Sequence, residues 1–308
     1  MDSHPRATGY IGVSCGDNGD NRTMLAYRHA FHAGNHADVL KHLVLTQVLR
    51  YMTQKDKPLT LIDTHAGAGG YGLDSNHARK HAEYDDGIGR LWGRNDLPAG
   101  LADYVSLVKS FNPDPARLMR YPGSPTLAKM LLRADDRMRL YELHSTDFPL
   151  LQETMAERRE TAVMNRDGFG ALKADLPPPS RRAVVLIDPS YEIKTDYAKV
   201  VTAVREGLER FADAVILVWY PQLQRLEPRE MVSRLKAAAN QGARRGWLHA
   251  SLTVAAPTSD GFGMLGSGMF VINPPFVLQQ MLAESLPLLK RELAQHDGAS
   301  FALEHGAR

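Results

Sequence analysis

The sequence predicts an α/β protein built on a largely parallel sheet. Apolar runs of strand length recur along the chain, and most are separated by segments long enough for a helix. Two late runs are separated instead by a Gly-rich loop, which predicts an antiparallel hairpin at the end of a seven-stranded sheet. The runs expected as strands are Leu59–Ile62, Arg139–Leu143, Ala162–Met164, Ala183–Ile187, Ala214–Trp219, Leu248–Val254 and Met269–Ile272.

Length and composition are those of an ordinary globular protein. The chain has 308 residues, of which 44% are hydrophobic and 23% charged, and its formal net charge of +2 permits a polyanionic partner without requiring one. Its apolar runs are far shorter than the roughly 20 residues that span a bilayer, so we expect no membrane segment. The single cysteine, Cys15, excludes an intrachain disulfide and fits a cytoplasmic protein.

The chain begins with residues 1–23, which are rich in Gly, Asp and Asn and lack periodicity. We expect them to be a disordered leader, or a start assigned upstream of Met24, ahead of one folded domain at 24–308. Apolar residues then recur three or four apart from Ala37 to Met52, which predicts an amphipathic helix capped by Asn35. The long stretch between the first two strands predicts a helical insertion at about 75–120.

An acid and a glycine-rich loop follow the first strand. Asp63 ends that strand, and Gly67 and Gly69 lie where backbone must approach a ligand closely, which is typical of a nucleotide-type cofactor site. The glycines also match the dinucleotide pattern of a nicotinamide enzyme, which needs an acid at the end of the second strand about 20 residues later. The acid that ends the second strand, Glu142, is much further downstream. A tight glycine turn without a ligand is the structural alternative.

The fourth strand runs into the sequence Asp188-Pro189-Ser190-Tyr191. Strands one and four flank the switch point of a doubly wound sheet, so these residues should face the glycine loop across a ligand crevice. The exocyclic amine of adenine is a poor nucleophile. A carboxylate and a backbone carbonyl that accept its hydrogens, with an aromatic face against the base, would assist attack by that nitrogen. Asp188, the Pro189 carbonyl and Tyr191 provide these groups in order, and a plain strand-ending turn is the alternative.

Two further patterns receive a structural interpretation. The sequence Asn273-Pro274-Pro275-Phe276 is similar to the turn at Asp188, but it ends a strand expected to be antiparallel, which directs it to the opposite edge of the sheet. Histidines crowd the segment before the first strand, without a cysteine or a group of carboxylates near them in sequence, so we expect no metal there. They are His29, His32, His36 and His42.

Several stretches of the sequence closely resemble one family. They are Leu25–His42, Asp63-Thr64-His65-Ala66-Gly67-Ala68-Gly69, Tyr121-Pro122-Gly123-Ser124-Pro125 and Glu142-Leu143-His144. From Met24 to at least Asn273, the chain is similar to the RlmJ family of bacterial 23S ribosomal-RNA adenine-N6 methyltransferases. The resemblance implies a Rossmann-like class I fold that depends on S-adenosyl-L-methionine, with a methyltransferase domain at 24–308 and a small helical insertion.

The resemblance also implies roles for individual residues. Asp188 is the implied catalytic acceptor, assisted by Pro189 and Tyr191. Tyr27 is implied to contact the RNA, and we expect Arg28, Lys41 and the pairs at 158–159, 181–182 and 244–245 to contact phosphates. The implied cofactor contacts are His42, His65, Gly67, Gly69, Ser124, Glu142, Asp167, Gly168 and Asp188. Ser190 departs from the family pattern, which usually has a second proline at this position.

The implied function is transfer of a methyl group from S-adenosyl-L-methionine to N6 of an adenine in 23S rRNA, of the adenine-2030 type, during rRNA processing. S-adenosyl-L-homocysteine is the product, and no metal takes part. The adenine must leave its stack, which favours free or partly assembled 23S rRNA as the substrate of an enzyme expected to be a cytoplasmic monomer. The alternatives are methylation of DNA adenine or of a protein amide, a nicotinamide-dependent dehydrogenase, and a non-catalytic RNA-binding relative.

Overall fold

A computed structural model describes residues 29–73 and 82–306. Residues 1–28, which include the leader at 1–23, lie outside this part of the chain. The strands are β1 (Thr60–Asp63), β2 (Gly70–Gly72), β3 (Arg120–Pro122), β4 (Arg137–Tyr141), β5 (Thr161–Met164), β6 (Ala183–Ile187), β7 (Val215–Gln222), β8 (Trp247–Thr253), β9 (Gly266–Ile272) and β10 (Ser300–Gly306).

The main sheet has the strand order β10-β8-β9-β7-β6-β1-β4-β5. β1 pairs in parallel with β4 and β6, and β5 and β7 extend the parallel part on either side. β8 and β9 form the predicted antiparallel pair, and β9 is also antiparallel to β7. This order confirms the predicted Rossmann-like class I methyltransferase fold and sets the first and fourth parallel strands side by side.

The predicted number of seven strands is wrong, because β10 adds an eighth strand antiparallel to β8. β10 is an edge strand whose residues are all exposed or half-buried, so it lacks the apolar run that marks the other strands. A separate two-stranded sheet pairs β2 with β3 beside the glycine loop. Its strands have three residues each, too short to give a sequence pattern.

Helices cover both faces of the sheet, as a doubly wound fold requires. They are α1 (His36–Thr53), α2 (Gly89–Trp92), α3 (Ala99–Ser110), α4 (Ser124–Leu131), α5 (Asp147–Met155), α6 (Ala171–Asp175), α7 (Thr195–Arg210), α8 (Glu227–Gly242) and α9 (Leu278–Leu293). One face packs against α1, α3, α4, α5 and α9, and the other against α6, α7 and α8. None of these helices is long and apolar enough to cross a bilayer.

The turn at Asn273 is structural, as interpreted from the sequence. It follows β9 near the amino end of β7, at the opposite edge of the sheet from the glycine loop. The Asn273 side chain is fully buried, and its Nδ2 donates hydrogen bonds to the carbonyls of Ala212 and Ala214 at 2.8 and 2.7 Å. Its Oδ1 accepts one from the Arg245 N–H, so the side chain ties three segments together.

α1 begins as predicted but is not amphipathic. The Asn35 side chain accepts hydrogen bonds from the N–H groups of Ala37 and Asp38, both at 3.0 Å, and so caps the helix. Nearly every residue as far as Leu49 is buried, because the sheet covers one side of α1 and α3, α4 and α9 cover the rest. The spacing of apolar residues predicts that the polar side chains of α1 face solvent. Because they are buried instead, they need hydrogen-bond or ion-pair partners inside the protein.

Two histidines of α1 are held neutral by this burial. Burial lowers the pKa of His36 to about 4 and that of His42 to about 3, against the opposing effect of nearby carboxylates. Nδ1 of His42 lies 2.7 Å from the Tyr121 hydroxyl. In the unfolded chain both histidines bind a proton near pH 6.5. They therefore contribute stability above pH 6.5, and that contribution is lost as the pH falls toward their folded pKa values.

We predict that His42→Asn weakens the pH dependence of stability. Between pH 7.5 and pH 5, wild-type protein should lose about 2 kcal/mol more free energy of unfolding than the variant, because only the wild type must protonate this side chain on unfolding. Urea unfolding at the two pH values measures the difference. His305→Asn, at an exposed position of β10, is the control, and equal losses in wild type and His42→Asn would contradict the assignment.

Candidate active site

A cavity of about 540 Å³ lies at the carboxyl ends of the parallel strands. Its walls come from the loops after β1, β4, β6 and β7, from the first turns of α1, and from the loop between β8 and β9. Gly67, Glu142, Asp188 and Leu223 reach it from the four strand ends in turn. This is where open α/β sheets bind ligands, so the strand order brings the sequence-predicted groups together.

The glycine loop adopts a conformation that requires glycine at Gly67. Its φ is +62°, and a Cβ there would lie 2.4 Å from the Tyr71 hydroxyl. The Gly67 N–H donates a hydrogen bond to Oε2 of Glu142 at 2.7 Å. The loop is thus turned toward the end of β4, and Gly69, at φ +85°, continues the same bend.

Glu142 is fixed by two backbone donors. Oε2 accepts from Gly67 and Oε1 accepts from the His144 N–H at 2.6 Å. Burial raises the pKa of Glu142, while the two backbone hydrogen bonds oppose that rise. A carboxylate oriented this way keeps lone pairs for vicinal hydroxyl groups of a sugar.

Asp63 connects the end of β1 to the start of α4. Its side chain is fully buried and accepts hydrogen bonds from the Ser124 hydroxyl at 2.7 Å and the His65 N–H at 3.3 Å. Burial raises the pKa of Asp63 to about 7, although these hydrogen bonds oppose it. Ser124 and His65 both line the cavity, and Asp63 holds them in position from behind.

Asp167 and Gly168 lie beyond the cavity wall. Asp167 is exposed, and its Oδ1 accepts from the Phe169 N–H at 2.9 Å. A Cβ on Gly168 would lie 1.8 Å from the Thr64 carbonyl oxygen, so only glycine fits against the loop after β1. The Phe169 ring packs edge-on against His65 at 4.9 Å, and burial lowers the pKa of His65 to about 4. These two predicted cofactor contacts thus adjoin His65 but are absent from the cavity lining formed by the described residues.

Lys41 forms a buried bridge between two carboxylates. Its Nζ lies 2.6 Å from Oδ2 of Asp188 and 2.9 Å from Oδ1 of Asp38. Lys41 is 4% exposed, and although burial disfavours the charged ammonium, the two carboxylates together raise its pKa. Two carboxylates thus already compensate the charge of Lys41 inside the protein, and its predicted contact with an RNA phosphate stays a prediction.

Asp188 lies at the end of β6 with its side chain facing the cavity. The side chain is 13% exposed, and burial raises the pKa of Asp188 while Lys41 opposes that rise. Only Oδ2 is engaged by Lys41, and no described residue donates a hydrogen bond to Oδ1. Asp188 is therefore a buried carboxyl group that is paired with Lys41 through one oxygen, while its other oxygen accepts no hydrogen bond from the described chain.

Tyr191 is held in a strained conformation beside Asp188. Its φ is +55°, which is uncommon for a residue with a side chain. The hydroxyl donates to the Trp219 carbonyl at 2.7 Å, and the ring lies 4.6 Å from that of Tyr197. Tyr191 lines the cavity with Pro189 and Ser190, yet it is only 3% exposed. Its broad face is thus largely covered by protein, in contrast to the open aromatic surface that the sequence predicts.

His29 and His32 each contact a different carboxylate. Nε2 of His29 lies 3.0 Å from Asp38, and Nδ1 of His32 lies 3.0 Å from Glu83. Within residues 29–73 and 82–306, no three His, Cys, Asp or Glu side chains are grouped to hold a metal ion.

Tyr27 and Arg28, the other predicted RNA contacts, lie outside the described residues.

One arginine in each of two basic pairs, Arg158 and Arg182, has a structural role. Arg158 donates to the backbone carbonyls of Arg133 and Asp136, both at 2.8 Å. Arg182 donates to the carbonyls of Met52, in the last turn of α1, and of Lys57, which follows the helix. Each guanidinium satisfies carbonyls that no helix or strand satisfies, which corrects the expectation for these residues.

Sequence reasoning missed Asp38 and the loop between β8 and β9. Asp38 and Lys41 are three residues apart on α1, and this spacing is the signal that could have revealed their ion pair. The partner across the cavity, Asp188, is 147 residues away from Lys41, and no local pattern reports such a contact. The loop residues Gly261 to Met264 reach the cavity only because the hairpin folds back over it.

Comparison with known proteins assigns the chain to a family. The family model described as "Ribosomal RNA large subunit methyltransferase D, RlmJ" matches residues 56–303. Two curated proteins named ribosomal RNA large subunit methyltransferase J are similar. The one from Escherichia coli is 48% identical over 88% of this chain and 94% of its own. The one from Haemophilus influenzae is 44% identical over 91% of this chain and 98% of its own.

A solved structure has the same fold. The crystal structure of a Legionella pneumophila protein superposes with a TM-score of 0.81 at 33% identity, and covers 89% of this chain and 98% of its own. Sequence and structure therefore agree with the resemblance that the motifs indicate. The chain belongs to the RlmJ family of ribosomal RNA large subunit methyltransferases.

Proposed function

We propose that this protein transfers a methyl group from S-adenosyl-L-methionine to N6 of an adenine in 23S rRNA, of the adenine-2030 type. The observation that carries the proposal is the position of Asp188. Its carboxylate faces a cavity at the switch point of the sheet, and Lys41 holds one of its oxygens at 2.6 Å. The relatives are named as ribosomal RNA methyltransferases, which supports an rRNA substrate for this chain.

The residues around the cavity fit the proposed cofactor. Glu142 suits a ribose diol, and the bend at Gly67 lets backbone approach the methionine moiety. His42 lines the same cavity, and its Nε2 is buried without a partner among the described residues, so a polar ligand group would relieve an unmet hydrogen bond. Ser124 and His65 complete the wall, with Asp167 and Gly168 supporting His65. When bound, S-adenosyl-L-methionine supplies an electrophilic methyl group on sulfur and leaves as S-adenosyl-L-homocysteine.

Asp188 is the proposed acceptor for the adenine amine. Its free Oδ1 would accept a hydrogen bond from N6, which concentrates electron density on the nitrogen, and the carboxylate would then take the proton. The Pro189 carbonyl would accept the second hydrogen. Lys41 makes this possible because a buried carboxylate without a cation would take up a proton and lose its acceptor capacity.

The cavity admits a base only after it leaves its stack. Asp188 lies within a recess whose walls include Pro189, Tyr191 and Trp219, and a paired adenine cannot reach it there. Free or partly assembled 23S rRNA therefore suits the site better than a finished ribosomal particle. We further propose that the enzyme acts as a monomer in the cytoplasm, without a metal.

The proposal is tested by following labelled methyl groups from S-adenosyl-L-methionine. The acceptor is naked 23S rRNA from cells that lack this gene, and double-stranded DNA and ribosomal proteins are offered in parallel. We expect label only in the RNA, recovered as N6-methyladenine. Label in DNA or protein would move the activity to another acceptor, and cofactor binding without transfer to any acceptor would contradict a methyltransferase of this kind.

We predict that Asp188→Asn abolishes transfer while leaving the fold intact. The amide has the same shape but cannot take a proton, so the single-turnover rate should fall by at least about 100-fold. Rapid-quench assays measure the rate, and calorimetry with S-adenosyl-L-homocysteine measures cofactor binding. Asp103→Asn, which weakens an ion pair with Arg50 outside the cavity, is the matched control. A near wild-type rate in Asp188→Asn would contradict the role of Asp188 as the proton acceptor.

We predict that Lys41→Met shifts the pH dependence of the reaction. Without the ammonium, the pKa of Asp188 rises, so the acidic limb of the pH profile should move up by about 1 to 3 pH units. Activity should recover as the pH is raised, whereas a folding defect would not recover. Lys41→Arg retains the charge and should retain the limb. Lys199→Met, which removes an ion pair with Asp196 outside the cavity, is the control; an unshifted limb in Lys41→Met would contradict the role of the bridge.

A further inference from the structure

The loop between β8 and β9, residues 254–265, lies over the mouth of the cavity. Gly261, Phe262, Gly263 and Met264 form part of the cavity wall. Leu223 and Arg225, from the loop after β7, line the cavity too, and the neighbouring Gln224 is hydrogen-bonded to Thr258 of the β8–β9 loop. The two loops therefore meet at the cavity that also contains Asp188.

Hydrogen bonds within the loop hold the backbone of Phe262 while its side chain stays exposed. The Thr258 hydroxyl donates to the Phe262 carbonyl at 2.6 Å, and the Phe262 N–H donates to Oδ1 of Asp260 at 3.1 Å. The Gln224 amide donates to Thr258, which ties the hairpin loop to the loop after β7. Phe262 nevertheless remains 57% exposed, so most of its side-chain surface is accessible to a ligand.

Phe262 supplies the accessible aromatic surface that Tyr191 lacks. Tyr191 is 3% exposed, with its ring covered by Tyr197 and Trp219. Arg225 lines the same cavity as Phe262 and is exposed. It forms no ion pair within 4 Å among the described residues, although its charge helps to lower the pKa of Glu227. An exposed aromatic ring and an exposed guanidinium in the wall of one cavity match an unpaired nucleotide, whose base stacks and whose phosphate is negative.

We infer that this loop holds the RNA strand, with Phe262 stacked on a nucleobase at the cavity mouth and Arg225 against a neighbouring phosphate. The inference rests on the proposed function, because it takes an unpaired segment of RNA as the occupant. Base stacking on an aromatic ring tolerates any base, so the contact contributes affinity and position rather than recognition of sequence. Phe262 is therefore a positioning residue, while the chemistry stays with Asp188.

Binding of a short unpaired RNA to the full-length protein, with S-adenosyl-L-homocysteine present, tests the stacking contact. Fluorescence anisotropy should show affinity about 10-fold weaker for Phe262→Ala and Phe262→Leu, and near wild-type affinity for Phe262→Trp. Phe276→Ala is the matched control, because Phe276 is 80% exposed but follows β9 at the opposite edge of the sheet. Unchanged affinity in Phe262→Ala, or equal loss in the control, would overturn the inference.

The same variants separate positioning from chemistry. In Phe262→Ala we expect the KM for RNA to rise about 10-fold and kcat at saturating RNA to stay within about 2-fold of wild type. A fall in kcat with KM unchanged would contradict a positioning role. Failure of the proposed function is seen independently, as absence of methyl transfer by the wild type, and leaves the binding comparison intact. Absence of RNA binding by the wild type would overturn the inference itself.

Salt dependence tests the phosphate contact. Removing one phosphate contact to a single strand should reduce the slope of log affinity against log salt concentration by about 0.7. We expect this change in Arg225→Ala. Arg229→Ala, in the first turn of α8 and exposed outside the cavity wall, should leave the slope unchanged. Equal slopes for Arg225→Ala and wild type would contradict the contact.

Discussion

The buried bridge from Asp38 through Lys41 to Asp188 connects the first helix to the end of β6 and determines the charge of the site. Three ionised groups in the interior are costly unless each has a close partner of opposite sign. Here the ammonium lies within 2.9 Å of both carboxylates, and His29 supports Asp38 from the other side. Burial raises the pKa of Asp188 and Lys41 opposes that rise, so the ion pair favours the ionised carboxylate in a position shielded from water.

The rest of the site depends on the strand order. β1 lies between β4 and β6, so the glycine loop, Glu142 and Asp188 leave the sheet at neighbouring points of one edge. α1 crosses that edge with its amino-terminal turns, which brings Lys41 and His42 to the same cavity. Because α1 is covered on all sides, its polar residues have no alternative partners in water, and the buried network is the consequence of that packing.

The sequence predicts the groups that belong to strand ends and misses those that depend on distant packing. The apolar runs identify every parallel strand, and the acids and glycines that follow them identify the cavity, because position along a strand fixes which edge a residue occupies. β10 lacks such a run since an edge strand needs little apolar surface. The sequence shows the charge of Lys41, which suggests a phosphate contact, but it does not show the ion pair with Asp188, which is 147 residues away. The sequence likewise suggests that the Tyr191 ring is open to a base, because only the fold shows that Tyr197 and Trp219 cover it.

The ionisation state of Asp188 in the folded protein tests this account most directly. Carbon-13 NMR of the side-chain carboxylates of labelled aspartate, with the Asp188 signal assigned by its loss in Asp188→Asn, follows that group alone across a pH titration. The account predicts that Asp188 is ionised at pH 7 in the wild type and takes up its proton only at more acidic pH. An Asp188 carboxyl that is already protonated at pH 7 would contradict it, because Lys41 would then not keep this carboxylate ionised.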